Sequence, residues 1–198
     1  MGPDSDSSHE LVPETRPLAC GTRASCANGG REAGAALTPD KFRPVERDQI
    51  ESLMGLALNE ARAATKHGDV PVGALVVRID TGEVLARRHN ERELANDPTA
   101  HAEILALRDA AAALGTWRLD GCALIVTLEP CAMCAGALVN ARIGKVIFGA
   151  HDAKAGALGS RYHLLADPRL NHECGVMHGV RAEDAADLLR RFFTSRRG

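Results

Sequence analysis

Two short stretches of this chain carry residue types that bind metals and move protons. One holds His101 and Glu103; the other holds Cys131 and Cys134, directly after Pro130. Cysteines spaced i, i+3 share one face of a helix. In a first helical turn the dipole and free N–H groups favour their thiolates, and Pro130 suits a helix start. Two thiolates can hold zinc at about 2.3 Å, and His101 can add a nitrogen ligand from a neighbouring element. Three protein ligands leave the fourth tetrahedral position open, which is the arrangement of a catalytic zinc rather than a structural one. Such an ion lowers the pKa of a bound water toward about 7. Glu103, two residues past His101, is not placed as a fourth ligand. It is placed to take that water's proton and pass it on.

Each piece alone has a plainer reading. Cys-x-x-Cys can be a redox pair, although Ala132 and Met133 between the thiols give no thioredoxin-like context. It can also be half of a structural zinc site. A lone histidine or glutamate at a helix start is ordinary. The combination is far more specific than its parts.

The elements that position these residues follow from periodicity. Ile50, Leu53, Met54, Ala57, Leu58 and Ala61 recur at threes and fours, predicting a helix over 46–67. Strands are predicted at 70–78 and 84–89, joined by a turn at 80–83. A loop over 90–99 leads to a helix at 100–114. Then come a strand at 122–128, a helix at 131–143, strands at 145–149 and 173–180, and a helix at 182–195. Strand–helix–strand order implies parallel pairing. The whole reads as an α/β domain over 45–198, with a mixed five-stranded sheet and helices on both faces. Residues 1–44 show no sustained period and read as a flexible N-terminal extension.

Hydrophobic residues make up 45% of the 198, and 24 basic residues face 26 acidic ones for a net charge of −2. That suits a globular domain with a real core and excludes a wholly disordered chain. Balanced charge and 3% aromatic content speak against an extended nucleic-acid surface. They leave room for a local one: residues 181–198 hold five bases against three acids. No apolar run is long enough to span a bilayer. Early acids at Asp4, Asp6, Glu10 and Glu14 argue against a targeting peptide. A cytoplasmic location is expected, with the six cysteines as thiols or ligands rather than disulfides.

His-x-Glu with Pro-Cys-x-x-Cys resembles the signature of the zinc-dependent nucleobase deaminases. The stretches Asp69 to Ala74, Asn96 to Glu103, Thr127 to Gly136 and Phe148 to Lys154 are similar to those of bacterial tRNA-specific adenosine deaminases. The likeness runs from about residue 46 to the end. It implies a cytidine-deaminase-like three-layer αβα sandwich. It implies conversion of adenosine to inosine at the wobble position of a tRNA anticodon, by zinc-bound hydroxide attack on C6. One Zn2+ per subunit would be held by His101, Cys131 and Cys134, with Glu103 as proton shuttle. Asn90 would hold the target nucleotide, Val72 would wall the base, and the backbone around Ala102 would help read its edge. Asp152 would contact the RNA, beside His151, which stands where other members carry Arg. The protein would be a homodimer binding the anticodon loop near the subunit interface.

The same scaffold serves free-base and nucleoside deaminases of guanine or cytosine, and the zinc motifs do not separate them. An inactive, RNA-binding relative would be expected to lack the glutamate, which is present here. The end of the last helix, Arg190 to Arg197 around Phe192 and Phe193, offers a phosphate-and-stacking surface; its plainer reading is apolar packing with solvated arginines. His172, Cys174 and His178 could share a face and hold a second metal. Cys20 and Cys26 have no histidine nearby, and Cys122 reads as a small core residue.

Overall fold

The computed structural model describes residues 47–197. The expected extension at 1–44, with Cys20 and Cys26, lies outside them. Helix α1 (Arg47–Ala64) buries Ile50, Leu53, Met54, Ala57, Leu58 and Ala61, the stripe its spacing predicts. A turn of 3₁₀ helix (Thr65–His67) tightens its end, and Gly68 stops it at φ 84°. Strands β1 (Gly73–Arg78) and β2 (Val84–His89) form an antiparallel hairpin. A four-residue helix α2 (Arg92–Ala95) and helix α3 (Ala102–Leu114) follow. Then come β3 (Cys122–Leu128), α4 (Ala132–Ala141), β4 (Lys145–Ala150), β5 (Gly175–Met177) and α5 (Ala182–Ser195).

The strands lie in the order β2-β1-β3-β4-β5. β1 runs antiparallel to β2 and β3, whereas β3, β4 and β5 are parallel, with Leu75 beside Ile125 and Ile125 beside Ile147. Successive side chains point to opposite faces, so the central strands sort into two cores. Ala74, Val76, Leu124, Val126, Val146 and Phe148 pack with α3 and α4. Leu75, Val77, Ala123, Ile125 and Ile147 pack with α1 and with Ala185 of α5. The result is the expected three-layer αβα sandwich around a mixed five-stranded sheet.

Four boundaries differ from the periodicity. β1 starts at Gly73 rather than Val70, because the Val72 N–H turns back to the Val70 carbonyl at 2.8 Å across Pro71. The 90–99 loop contains α2. The helices expected at 100–114 and 131–143 start at Ala102 and Ala132, which leaves His101 and Cys131 as their N-caps. β5 covers three residues, not eight: it is a half-exposed edge strand, and Gly179 at φ 83° turns the chain toward α5.

α1 lies on β1 with backbone against backbone at Gly73. A Cβ there would stand 2.0 Å from the Ala57 carbonyl oxygen and 2.5 Å from the Ala61 nitrogen. Gly73→Ala should therefore destabilise the fold by about 1–3 kcal/mol. Gly136→Ala, whose Cβ meets nothing within 4 Å inside α4, should be neutral or stabilising. Thermal unfolding of both variants checks this; an unchanged melting temperature for Gly73→Ala would contradict the contact.

Candidate active site

His101 is the N-cap of α3 at φ −76°, ψ 148°, and Cys131 is the N-cap of α4 at φ −74°, ψ 175°. Neither side chain caps its own helix, so both are available to each other. Cys134, one turn into α4, completes the group. His101 Nδ1 stands 3.9 Å from Cys131 Sγ and 3.5 Å from Cys134 Sγ, and the two sulfurs are 3.7 Å apart. A tetrahedral ion with ordinary zinc–sulfur and zinc–nitrogen distances sets its sulfurs about 3.8 Å apart and sulfur from nitrogen about 3.6 Å. The donor set and its spacing both fit zinc. Among the described residues this is the one group of three such side chains close enough to share an ion.

The three donors are close enough to share protons. The Cys134 thiol and His101 donate to Cys131 and hold its thiol down at about 3. Cys134 is pushed far up, because its proton is held by the Cys131 sulfur and because it is buried. His101 is raised by its bond to Cys131. Glu103, in the first turn of α3, is buried beside the Cys134 thiol, and burial pushes its carboxyl up. Its Oε2 has no hydrogen-bond partner in the protein. A buried carboxylate oxygen without a partner is costly unless water or substrate supplies one.

Asn90, one residue past β2, is also buried. Its Oδ1 accepts from the Ala102 N–H at 2.9 Å and its Nδ2 donates to the Val70 carbonyl at 3.1 Å. The amide thus ties the start of α3 to the turn before β1, with one N–H and one lone pair to spare. The Ala102 N–H is thereby occupied by Asn90, and the backbone around Ala102, expected to help read a base edge, lies beside Asn90 and Val72. Val72 is buried in the same cluster as Ala102 and Ala106. Asp152 lies in the loop after β4, where its Oδ1 accepts from the Lys154 and Ala155 N–H groups at 2.8 and 3.2 Å. That loop adjoins the ligands: Gly156 is bridged to Cys131, and the Ala157 N–H donates to the Pro130 carbonyl at 2.9 Å.

Two buried acids escaped the sequence reading. Glu129 accepts from the N–H groups of Asp152, Leu158 and Ser160 at 3.0–3.1 Å and from the Ser160 hydroxyl, and it pairs with His151 Nδ1 at 3.2 Å. Burial alone would raise its carboxyl, but these donors outweigh burial and hold it at about 2. Its signal was an acid between Leu128 and Pro130, inside an otherwise apolar approach to the ligands. Asp69 accepts from the Glu93 and Leu94 N–H groups at 3.0–3.3 Å, capping α2 from 24 residues away, and pairs with His67 at 2.9 Å.

Among the described residues the second metal candidate does not come together. His172 Nε2 lies 2.7 Å from the Ile143 carbonyl, and burial pushes the Cys174 thiol up to about 11. His178 sits against Phe148 and His151 instead, so the three do not converge. Cys122 is buried in the core, as expected. In α5, Phe192 is buried, while Arg196 covers its ring at 4.6 Å and donates to the Gly68 carbonyl. Arg190 pairs with Asp187, so part of the arginine cluster is structural.

A family model described as MafB19-like deaminase matches residues 48–197. The tRNA-specific adenosine deaminase of Bacillus subtilis is 48% identical over 145 residues, covering 73% of this chain and 89% of that protein. Its counterpart in Haemophilus influenzae is 45% identical, covering 74% and 84%. A solved structure from work on A-to-I editing by tRNA:A34 deaminases at the wobble position of transfer RNA is 44% identical. It covers 70% of this chain and 99% of its own, with a TM-score of 0.67. A guanine deaminase from Nitrosomonas europaea is 26% identical at a TM-score of 0.63.

Glu129 makes acid stability a test of the site's architecture. Its folded pKa of about 2 lies below the ordinary 4.5. The stabilisation is therefore present above pH 4.5 and lost as pH falls toward 2, and it amounts to about 3 kcal/mol. Urea unfolding at pH 7, 4 and 3 should show Glu129→Gln less stable at pH 7, with the gap to wild type narrowing in acid. A gap that stays constant with pH would contradict the assigned role.

Proposed function

The chain belongs to the MafB19-like deaminase family, and from that premise we infer that it converts adenosine to inosine at the wobble position of a tRNA anticodon. Relatives named for that activity match it at 41–48% identity over most of their length. The observation that carries the reading is the convergence of His101, Cys131 and Cys134 next to Glu103, whose carboxylate oxygen is buried and unpartnered.

His101 Nδ1, Cys131 Sγ and Cys134 Sγ would hold the zinc, one ion per subunit. When bound, zinc would supply Lewis acidity that activates water near neutral pH. The reaction adds water across the C6=N1 double bond: a C6–O bond forms as N1 gains a proton, then the C6–N bond to the exocyclic amine breaks and ammonia leaves. Glu103 takes the water's proton and delivers protons to N1 and then to the departing amine. Burial raises its proton affinity, which suits a group that must both accept and return a proton. Asn90 sets the start of α3 against the Val70–Val72 turn and keeps an N–H and a lone pair for the target nucleotide. Val72 closes an apolar side, and Asp152 reaches RNA with the oxygen its turn leaves over. An anticodon loop offers unstacked bases that can enter such a pocket.

A homodimer and a cytoplasmic location belong to the same proposal. The outer face of α3 and α4 carries an open apolar groove of about 400 Å³ lined by Ile104, Leu107, Ala111, Ala137 and Trp117. Trp117 is 61% exposed there, a large apolar surface for a lone subunit to leave in water. Cysteines expected as thiols or ligands rather than disulfides suit a reducing compartment. Among the described residues no helix is long and apolar enough to cross a membrane.

The test is turnover of an anticodon stem-loop with adenosine at the wobble position, against free guanine, cytosine and adenine. Inosine should form in the RNA; turnover of a free base but not the RNA would overturn the assignment. Glu103→Ala should keep one zinc per chain and lose at least about 100-fold in rate. Cys131→Ser should lose the zinc. Substantial inosine formation by the first variant, or stoichiometric zinc in the second, would refute the roles given.

A further inference from the structure

The loop held by Glu129 has an exposed tip of unusual composition. Four backbone and hydroxyl donors from Asp152, Leu158 and Ser160 converge on that one buried carboxylate. The Arg161 N–H then donates to the Gly156 carbonyl at 3.0 Å and the Leu164 N–H to the Ala157 carbonyl at 3.0 Å, closing a tight loop over 158–163. Beneath it Leu165 is buried in the core. Yet Arg161, Tyr162 and His163 all stand in water, and Tyr162, the only tyrosine in the chain, is 56% exposed. Ordering a surface loop costs backbone entropy, and this tip gains no burial of its own in return.

Its charge points the same way. The 158–163 loop carries Arg161 and no acidic residue, and Lys154 lies on the approach to it after Asp152. Position completes the case. Gly156 is bridged to Cys131, and Arg161 is hydrogen-bonded to Gly156. These two contacts tie the loop's backbone to a member of the His101, Cys131 and Cys134 group.

We propose that the 158–163 loop is a second RNA-contact surface, in which Tyr162 stacks on a nucleotide flanking the reacting adenosine and Arg161 pairs with a neighbouring phosphate. An aromatic face accepts any base, and the cation beside it supplies affinity without sequence preference. The role of Glu129 is then to position this surface against the site. The proposal rests on the tRNA reading above. An exposed cation beside an exposed aromatic ring, with no acidic residue in the 158–163 loop, favours RNA over a second protein chain as the partner.

The experiment measures direct binding of a fluorescent anticodon stem-loop, together with kcat and KM, for wild type, Tyr162→Ala, Tyr162→Phe and Arg161→Ala. Tyr162→Ala should weaken binding and raise KM about tenfold, with kcat within twofold and zinc content unchanged. Tyr162→Phe should restore binding, because it keeps the ring. Arg161→Ala should reduce the slope of log affinity against log salt by about 0.7, one phosphate's share. Unchanged binding by Tyr162→Ala overturns the proposal, as does equal loss in the Phe and Ala variants. A Tyr162→Ala variant that loses affinity only because the dimer dissociates would assign the loop to the subunit contact and overturn it too. Wild-type protein that binds the stem-loop without making inosine would instead refute the tRNA editing assignment, leaving the binding comparison to judge the loop.

Discussion

Everything in this molecule is arranged around three atoms that must meet within 4 Å: His101 Nδ1, Cys131 Sγ and Cys134 Sγ. Two come from residues just outside helices, one at each N-cap. Those helices pack on the same face of the sheet, α3 behind β1 and β2 and α4 behind β3 and β4. The sheet's order thus brings together residues 30 positions apart in sequence. Isolated, the group is a poor bargain, with a thiolate, a strongly held thiol and an imidazole crowded together. A divalent cation would resolve that crowding, and three protein donors would leave a fourth tetrahedral position free.

The walls of the site are held by side chains whose partners are distant backbone N–H groups. Asp69 caps α2 and so fixes the loop between Asn90 and His101. Glu129 fixes the loop between Asp152 and Ser160 on the other side. Asn90 joins the first wall to the start of α3. Loops that carry recognition residues need rigid support if they are to present them accurately, and charged hydrogen bonds to backbone N–H groups provide it. The balanced net charge of the chain fits this picture. The RNA reading proposed above asks for a local basic surface near the site, not a charged surface overall.

Much of this was legible from residue types. The ligand triad and Glu103 stood out because their chemistry and spacing are rare in combination. The core strands and long helices followed from the periodic burial of residues such as Ile50, Met54 and Leu58. What stayed hidden was long-range and backbone-mediated. α2 has no local cap, because its cap is Asp69, so nothing in the 90–99 stretch announced a helix. Glu129 looked like an incidental acid because its partners are amides and a hydroxyl 23 to 31 residues away, and amides carry no residue-type signature. β5 was overestimated because alternation cannot tell an exposed edge of three residues from a longer strand. The Ala102 N–H could not be assigned to Asn90 until both walls were in place.

The central claim is one open, three-ligand zinc site per chain. Zinc analysis with X-ray absorption on the purified protein tests it most directly. The account predicts one zinc per chain bound by two sulfurs at about 2.3 Å, one imidazole nitrogen, and a light, exchangeable fourth ligand. A site with no metal, with more than two sulfurs, or with four protein ligands and no exchangeable position would contradict it.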